Sequence, residues 1–399
     1  MPKLLQINAT ANWGSTGRIA EEIGLVAMKH GWESYIAYGR HSNPSASKLV
    51  RVGSLLGVYF HYFCHKVFDG EGFASKCATR KLIKQIEQIA PDIVHLHNIH
   101  DHWINYPILF DYLNSKSIPV VWTQHDCWAF TGGCAYYTMN KCSSWQTKCY
   151  NCNYKKTLLD RTQKQFAKRK ELFCANSKLT LVAVSSWLEQ ELKKSFMGHA
   201  TITSIYNGID LDVFRKTSNV KILEQLGILN KKVLLALATS WSERKGFDDY
   251  IALSKILPKE YVILLVGLSK TQIDSLPDNM KGISRTSNRE ELVSLYSSAD
   301  ILLNLSYEET FGLTTVEAFA CGTPAIVYNA TACPEIVSQE TGIIVDPGDI
   351  QGVIRAIERI ENNRKESYTK LCRARAEALF DKNKCYEEYI NLYDALLAV

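Results

Sequence analysis

Residues Ser306 to Pro324, S-Y-E-E-T-F-G-L-T-T-V-E-A-F-A-C-G-T-P, join a predicted strand to a predicted helix. The apolar run at residues 301–305 has the length of a short buried strand. Gly312 allows the backbone to turn, and the helical pattern at residues 314–320 ends at a glycine and a proline. Strand, loop and helix in this order are typical of an open α/β sheet.

Two carboxylates lie eight residues apart in this stretch, Glu309 in the loop and Glu317 in the helix. Glu309 follows the carboxyl end of the predicted strand, which is where open α/β sheets bind ligands. The helix start offers backbone N–H groups and the positive end of the helix dipole. Carboxylates at this place can accept hydrogen bonds from the hydroxyl groups of a ligand. The alternative is an ordinary strand–turn–helix with two surface glutamates.

The length and composition favour two domains. The chain has 399 residues, 46% of them hydrophobic, so two domains of roughly 200 residues can each bury a large core. A net charge of +5 does not suggest nucleic acid as a partner. No apolar run approaches the roughly 20 residues of a membrane-spanning helix, and Met1-Pro2-Lys3 leads into a strand without a signal sequence. We therefore expect a cytoplasmic protein.

A loop with two glycines follows the first predicted strand. The strand at residues 4–8 and the helix at residues 19–28 enclose N-W-G-S-T-G-R, which contains Gly14 and Gly17. Such a loop can bring backbone N–H groups close to a ligand, although it is not the G-x-G-x-x-G fingerprint. A tight structural turn is the alternative.

A histidine and an aspartate, His125 and Asp126, follow another buried strand at residues 119–123. A neutral histidine there can hydrogen-bond a hydroxyl group, while Asp126 can orient its ring or accept a proton. The alternative is a structural His–Asp pair. Histidines also occur at positions 95, 97, 100 and 102, but they follow no metal-ligand spacing, so we predict no histidine metal site.

Five cysteines fall between residues 127 and 152. Cys149 and Cys152 have the C-x2-C spacing of a zinc knuckle, and Cys134 and Cys142 can complete a four-thiolate site. A structural zinc ion would stabilise a loop that otherwise lacks regular structure. Free thiols or redox disulfides are the alternatives, and Cys127 is the thiol left over.

For two segments, a membrane surface is one of the possible interpretations. The apolar and aromatic run at residues 55–63 can be core, the wall of a binding site or a membrane surface, and core is favoured. Residues 155–170 predict an amphipathic basic helix that can rest on anionic headgroups, with a solvated helix face as the alternative. Its cations are Lys155, Lys156, Arg161, Lys164, Lys168, Arg169 and Lys170.

Two adjacent cations, Arg244 and Lys245, follow the strand predicted at residues 232–238. They suit a diphosphate whose negative charge grows as it leaves, which is electrostatic catalysis without a metal ion. The only D-x-D pair, Asp210 with Asp212, does not lie near a strand end, so no catalytic metal is expected. The alternative is a solvated pair in a surface loop.

The chain resembles the retaining glycosyltransferases of family 4 over nearly its whole length. The resemblance rests on four motifs in the same order: W-T-Q-H-D-C-W with the cysteine pattern, N-G-I-D-x3-F from Asn207, the cation pair, and the E-x7-E pair. The cysteine pattern is similar to that of a subgroup that includes a colanic acid transferase.

This resemblance implies the GT-B fold, an α/β architecture in which two Rossmann-like domains face a cleft. We expect an acceptor-side domain at residues 1–206 that carries the cysteine-rich loop 127–152. A nucleotide-sugar-binding domain follows at residues 207–382. The C-terminal helix at residues 383–399 is expected to cross back to the first domain.

The resemblance also implies roles for individual residues. Glu309 would hold the hydroxyls of the donor sugar, and Glu317 the ribose. Lys245 would hold the diphosphate, together with Arg244, which stands in for an arginine that the family more often has several residues earlier. His125, with Asp126, would face the reacting centre. The other implied contacts to the nucleotide sugar are Gly14, Gly17, Arg285, Phe311, Gly312, Leu313 and Thr314.

The sequence thus predicts a retaining glycosyltransferase that uses a UDP- or GDP-linked sugar. Its acceptor would be a saccharide or lipid-linked saccharide in bacterial surface polysaccharide or glycan synthesis. We expect a structural zinc ion, and a cytoplasmic protein with the option of peripheral contact at the inner face of the cell membrane. The alternatives are a GT-B sugar-nucleotide epimerase and a catalytically silent, zinc-stabilised binding protein.

Overall fold

The structure, a computed structural model, describes residues 1–150, 152 and 157–398, and it divides the chain into two compact units. The first unit comprises Met1–Tyr206 together with the residues from Cys385 onward, and the second comprises Asn207–Lys384. Each unit is built on one parallel sheet with helices packed against it. The α/β class and the two Rossmann-like domains predicted from the sequence are therefore confirmed.

Seven parallel strands form the sheet of the first unit, in the order β3-β2-β1-β4-β5-β6-β7. They are β1 (Lys3–Asn8), β2 (Glu33–Tyr38), β3 (Lys48–Arg51), β4 (Ile93–Leu96), β5 (Val120–Gln124), β6 (Leu179–Ala183) and β7 (Thr201–Ser204). In β1, Leu4 pairs with Ser34 of β2 on one side and Ile93 of β4 on the other. The order runs outward in both directions from β1 and β4, so the switch point of the sheet lies between them.

In the part of the chain that the structure describes, six helices lie between these strands. They are α1 (Gly14–Lys29), α2 (Leu55–Phe68), α3 (Lys76–Ile89), α4 (Tyr106–Asn114), α5 (Thr162–Cys174) and α6 (Ser186–Lys194). In α1, Ile19, Ile23 and Val26 share one face and enter the core, as their helical spacing predicts. Ser185 caps α6 by accepting a hydrogen bond from the Leu188 N–H at 3.2 Å.

The second unit has a six-stranded parallel sheet in the order β10-β9-β8-β11-β12-β13. Its strands are β8 (Lys232–Leu237), β9 (Tyr261–Val266), β10 (Met280–Ile283), β11 (Ile301–Asn304), β12 (Ala325–Tyr328) and β13 (Gly342–Val345). Its helices are α7 (Lys221–Gln225), α8 (Phe247–Ser254), α9 (Lys270–Asp274), α10 (Arg289–Ser298), α11 (Leu313–Ala320), α12 (Cys333–Ile336), α13 (Ile350–Asn362) and α14 (Lys365–Leu379).

The last helix, α15 (Lys382–Leu397), belongs to the first unit from Cys385 onward. Its tyrosines lie in the same buried cluster as residues of the strands β1, β4, β5 and β6. The Tyr393 hydroxyl lies 2.6 Å from His95 Nδ1, and the Tyr389 hydroxyl lies 3.0 Å from Thr123 Oγ1. The C-terminal helix is therefore part of the core of the first unit.

In the first unit one sequence-based interpretation fails and another is met only in part. Residues 55–63 belong to α2, whose large apolar side chains are mostly exposed, so the core interpretation of this run is wrong. In the basic segment, Lys155 and Lys156 lie outside the described residues, and α5 begins only at Thr162. Arg169 of this segment is fully buried with its guanidinium 4.1 Å from the Trp128 ring, so it does not belong to a surface patch. Within the described residues, no helix is both long and apolar enough to span a membrane.

Candidate functional site

The switch point of the second sheet brings two predicted motifs together. The order runs outward from β8 and β11, so the loops that follow these strands flank the place where parallel α/β sheets bind ligands. The loop after β8 carries Arg244 and Lys245 in a short 3-10 helix. The loop after β11 carries Glu309. The sheet order therefore explains why motifs more than 60 positions apart share one site.

Lys245 and Glu309 form an ion pair between Nζ and Oε2. Their side chains are only 16% and 17% exposed, so both charges are partly withdrawn from water. Each charged group has one strong partner in the other and keeps an accessible side. A cation for phosphate and a carboxylate for hydroxyls thus stand within reach of a single ligand.

The two loops are also joined through their backbones. The Tyr307 N–H donates to the Arg244 carbonyl at 2.9 Å, and Arg244 Nη1 donates to the Glu308 carbonyl at 3.0 Å. Gly246 makes this approach possible, because it has φ +70° and a Cβ there would lie 2.2 Å from the Leu305 carbonyl oxygen. Arg244 therefore holds the loop that carries Glu309.

The segment after Glu309 turns into α11 at Gly312, whose φ of +107° favours glycine. The Phe311 side chain is buried against Phe380, with ring centroids 5.8 Å apart, so only its backbone can meet a ligand. Leu313 and Thr314 are the first residues of α11, and the first N–H groups of a helix have no acceptor within the helix. This helix start can bind oxygen atoms of an anionic ligand.

Glu317 lies in the second turn of α11 and accepts a hydrogen bond from the Tyr296 hydroxyl at 2.6 Å. Burial of Tyr296 and the adjacent Glu317 charge raise the pKa of that phenol well above its usual range. The phenol therefore stays protonated and fixes one carboxylate oxygen of Glu317. A carboxylate has about four lone-pair sites, so Glu317 can also accept a hydrogen bond from a ligand.

Arg285 is exposed and follows β10, the edge strand of the sheet. The strand β9 separates β10 from β8, so Arg285 lies two strands away from the loop of Lys245. Arg285 therefore lies apart from the pair of Lys245 and Glu309, and its contact with the donor stays a prediction.

The two glycines of the first loop differ in their surroundings. Gly14 is exposed, has φ +67°, and a Cβ there would have no heavy atom within 4 Å. Gly17 is buried, and a Cβ there would lie 2.6 Å from Thr10 Oγ1. Gly17 therefore serves close packing of α1 against the loop, and Gly14 is the one that can approach a ligand.

A chain of hydrogen bonds at the switch point of the first sheet sets the protonation of His125. Gln6 donates through Nε2 to the Ala20 carbonyl at 2.7 Å, so its Oε1 accepts from His97 Nε2 at 3.0 Å. His97 Nδ1 then accepts a hydrogen bond from the Nε2–H of His125, with 3.1 Å between the two nitrogens. Burial lowers the pKa of His125 to about 4 and that of His97 well below its usual range. His125 is thus a neutral imidazole whose Nδ1 is the basic nitrogen.

Asp126 contacts a different histidine from the predicted one. Its Oδ2 lies 2.9 Å from His100 Nε2, and its Oδ1 accepts from the Trp128 N–H at 2.9 Å. Burial alone would lower the pKa of His100, but the charges and hydrogen bonds of Asp126 and Asp101 outweigh it and raise that pKa well above its usual range. Asp126 thus favours the protonated form of His100 and binds that ring.

The cysteine-rich loop places two of the four predicted zinc ligands together. Cys134 Sγ and Cys152 Sγ lie 4.0 Å apart, which suits two thiolates on one tetrahedral zinc ion with Zn–S bonds of about 2.3 Å. Burial, with the nearby Cys142 and Cys152, raises the pKa of the Cys149 thiol to about 11. Among the described residues, no cluster of three or more His, Cys, Asp or Glu side chains is arranged to hold a metal ion. The pair fits one edge of a zinc site, and the set of four stays a prediction.

Several residues that shape these sites were missed in the sequence. Gln6 acts on His125 through His97, which the sequence had singled out only within the set of histidines, while Tyr296 fixes Glu317. Thr331 accepts from the Glu309 N–H at 2.8 Å and donates to the Glu309 carbonyl at 2.7 Å. Gln6 carried a visible signal, because it is a polar residue between the apolar residues Leu5 and Ile7 of a buried strand. Tyr296 and Thr331 carried none, since both types are common at ordinary helix and loop positions.

Comparisons with known proteins agree with this architecture. The family model described as "Glycosyltransferase Family 4" matches residues 16–213, and "Glycosyl transferases group 1" matches residues 219–377. The putative colanic acid biosynthesis glycosyl transferase WcaC of Escherichia coli is 22% identical, over 98% of this chain and 100% of its own length.

Two solved structures illustrate the similarity of fold. Sucrose-phosphate synthase from Thermosynechococcus elongatus superposes with a TM-score of 0.74 at 18% identity, covering 100% of both chains. Anabaena Alr3699/HepE in complex with UDP-glucose superposes with a TM-score of 0.67 at 16% identity, covering 98% of this chain and 99% of its own. Since the two glycosyltransferase models match consecutive parts of the chain and its architecture is GT-B, the chain belongs to the family-4 glycosyltransferases.

Proposed function

We propose that this glycosyltransferase takes a sugar from a UDP- or GDP-linked donor, with retention of configuration at the anomeric carbon. The observation that carries the proposal is the ion pair of Lys245 and Glu309 at the switch point of the second sheet. A nucleotide-diphosphate sugar offers both the phosphate that Lys245 would bind and the hydroxyls that Glu309 would bind. The complex of UDP-glucose with the Anabaena protein of similar fold supports a donor of this class.

In the proposed mechanism, donor binding replaces the ion pair. The Lys245 ammonium moves to the diphosphate, and the Glu309 carboxylate accepts hydrogen bonds from the donor sugar. As the glycosidic bond breaks, negative charge builds on the leaving diphosphate, and Lys245 with the start of α11 stabilises it. Arg244 contributes by holding the Glu308 carbonyl, so we assign it a positioning role in addition to its charge.

Glu317 and His125 complete the proposed set. Glu317, fixed by Tyr296, accepts hydrogen bonds from the ribose hydroxyls. His125 is a neutral imidazole, and we assign it a hydrogen bond to a sugar hydroxyl. A low pKa makes it a weak base, so its role is to orient a hydroxyl rather than to remove a proton fully.

We propose that the diphosphate is bound without a divalent metal ion. The only D-x-D pair begins at Asp210, which has another function: it binds Lys382 Nζ at 2.8 Å and accepts the N–H groups of Asp212 and Val213, each at 3.1 Å. Asp210 therefore stabilises the turn after Asn207.

The acceptor would be a saccharide or lipid-linked saccharide in bacterial surface polysaccharide synthesis, as the similarity to the putative colanic acid biosynthesis glycosyl transferase WcaC suggests. We further propose that the enzyme acts in the cytoplasm at the inner face of the cell membrane. A structural zinc ion on Cys134, Cys142, Cys149 and Cys152 is part of the same proposal.

The test is a donor panel. Purified protein is incubated with UDP- and GDP-sugars, with and without saccharide acceptors, and nucleotide release is measured. Release that depends on one donor and rises with acceptor supports transfer, and NMR of the new anomeric centre reports its configuration. Conversion of the donor sugar without net nucleotide release would indicate an epimerase instead. No turnover and no binding of any donor would contradict the proposal.

A further inference from the structure

The helix α2 has its apolar side chains on the outside. Seven of them are between 45% and 81% exposed: Leu55, Leu56, Tyr59, Phe60, Tyr62, Phe63 and Phe68. Most share one face, because positions 55, 56, 59, 62 and 63 recur at helical spacing. The only buried residue of the helix is polar, His61. A helix that folds against its own protein shows the opposite arrangement.

This outward face is held in place by polar contacts. His61 Nε2 accepts from the Gly72 N–H at 2.9 Å, and its Nδ1 lies 2.9 Å from Ser75 Oγ. Ser54 caps the first turn by accepting from the Gly57 N–H at 3.2 Å. At the other end, the Leu158 N–H donates to the Lys66 carbonyl at 2.9 Å. The helix is therefore fixed at its start, middle and end while its apolar face stays open.

The surroundings extend the apolar surface. Leu158, tied to α2 through Lys66, is 79% exposed, and the next residue, Leu159, is 44% exposed. A cavity of about 640 Å³ separates α2 from the start of α3, and aromatic side chains such as Phe60 and Trp103 line it. The surface can thus accept apolar groups on the helix and beside it.

The exposed charges near this surface are positive. Within residues 51–80 the only carboxylates are Asp69 and Glu71, and both are buried. The exposed charged residues of the same segment are Arg51, Lys66, Lys76 and Arg80. Arg161, also exposed, lines the cavity together with Lys76. Aromatic and leucine side chains ringed by cations complement a surface that combines hydrocarbon with phosphate.

We propose that α2 docks on a phospholipid bilayer that contains anionic headgroups. The helix, about 21 Å long at 1.5 Å per residue, lies in the plane of the interface. Leu56, Tyr59 and Phe63 enter the acyl region, and Lys66 and Lys76 contact headgroup phosphates. The surface is centred on α2, with Leu158, Leu159 and Arg161 of the basic segment at its edge, and its binding does not depend on the transfer reaction.

The experiment measures co-sedimentation of the full-length protein with vesicles. One set is pure phosphatidylcholine and the other contains about 30% phosphatidylglycerol. We expect binding to the anionic vesicles, and at least about tenfold weaker binding for Leu56→Asp/Phe63→Asp. The matched control, Leu229→Asp/Ile256→Asp, replaces two side chains of the second unit that are each 45% exposed and should bind like the unaltered protein. Lys66→Glu/Lys76→Glu should remove the preference for phosphatidylglycerol.

Three outcomes would overturn the proposal. The first is no vesicle binding by the unaltered protein, and the second is equal loss in the control pair. The third is a protein that runs as a dimer in gel filtration, becomes a monomer with Leu56→Asp/Phe63→Asp, and does not respond to vesicles. A second copy of the chain would then cover α2. Circular dichroism of each variant shows that it is folded, and these side chains are exposed, so their replacement leaves the core intact.

Discussion

Lys245 and Glu309 illustrate how one ion pair can select a ligand. Both side chains are less than one-fifth exposed, so a ligand that removes one partner must supply a replacement for the other. A simple phosphate would bind Lys245 but leave Glu309 without its cation. A neutral sugar would bind Glu309 but leave Lys245 without its anion. A sugar diphosphate satisfies both groups, and the pair therefore favours ligands that combine the two chemistries.

Replacing Lys245→Ala is expected to lower turnover at least about 100-fold, because the leaving diphosphate loses charge stabilisation of a few kcal/mol. The fold should persist, since the side chain is not part of the core. Nucleotide release measures the effect. Lys255→Ala, which removes an exposed cation of the same unit, is the control and should behave like the unaltered enzyme. Near-normal turnover of Lys245→Ala would show that the donor site lies elsewhere.

The buried histidines predict a loss of stability in acid. Burial lowers the pKa of His61 to about 4, and those of His95 and His97 well below the usual range. As the pH falls from about 6.5 towards 4, the unfolded chain binds protons that the folded chain does not, so the free energy of unfolding decreases. At about pH 5.5 the loss is on the order of 1 kcal/mol for each such histidine.

Urea unfolding at about pH 7 and about pH 5.5 tests this expectation. The His61→Gln variant should be less stable than the unaltered protein at about pH 7. Its free energy of unfolding should fall less between about pH 7 and about pH 5.5. His100 acts in the opposite sense, because its raised pKa contributes stability below pH 6.5 that is lost as the pH rises through the folded value. Equal or greater stability at pH 5.5 would contradict the assignment of neutral buried histidines.

At the scale of elements, the cysteine-rich loop gives a prediction about metal content. Purified protein should carry about one zinc ion per chain, measured by elemental analysis on protein prepared without chelator. Cys142→Ser/Cys152→Ser should lose the zinc and make residues 127–152 more sensitive to protease, while donor binding persists. Cys77→Ser removes an exposed cysteine outside the loop and should retain the metal. Absence of zinc from the unaltered protein would contradict the proposed zinc site.

The helix α2 shows what an apolar pattern alone does not reveal. Residues 55–63 have the composition of a buried segment, and hydrophobic residues are buried in most soluble proteins. What exposes them is the position of His61, whose two ring nitrogens bind Gly72 and Ser75 from the following loop. Those partners lie 11 and 14 residues away, so no local periodicity could indicate which face turns inward.

At the scale of the whole molecule, the proposed metal-free donor site predicts that activity survives EDTA. A brief EDTA treatment, followed by an assay with and without magnesium or manganese, is the measurement. The expected result is little change, since Lys245 and the start of α11 supply the positive charge. Prolonged chelation can slow the enzyme indirectly by removing zinc from the loop. Immediate loss restored by magnesium but not by zinc would show that the diphosphate is metal-bound.

The fold was predictable because strand, loop and helix recur with clear apolar runs. β1 occupies residues 3–8, where the sequence predicts a strand at residues 4–8, and buried runs also located β8 and β11. Part of the candidate site followed from the same logic, since Lys245 and Glu309 each come directly after a strand. The pairing of Asp126 with His100 was not predictable, because the residue next in sequence to Asp126 is His125. Tertiary contacts, and not proximity in the chain, determine that Asp126 pairs with His100.

The C-terminal helix α15 has a consequence for how the protein is made. Tyr389 and Tyr393 fill the centre of the first unit, yet residues 207–384 are synthesised before them. At about 5–20 residues per second, the ribosome completes the entire second unit while the core of the first still lacks one helix. Until α15 emerges, the hydrophobic cluster of the first unit lacks the side chains that this helix contributes. The unit that emerges first from the ribosome is therefore the last to be completed. We expect it to depend on chaperones for longer than its early place in the sequence suggests.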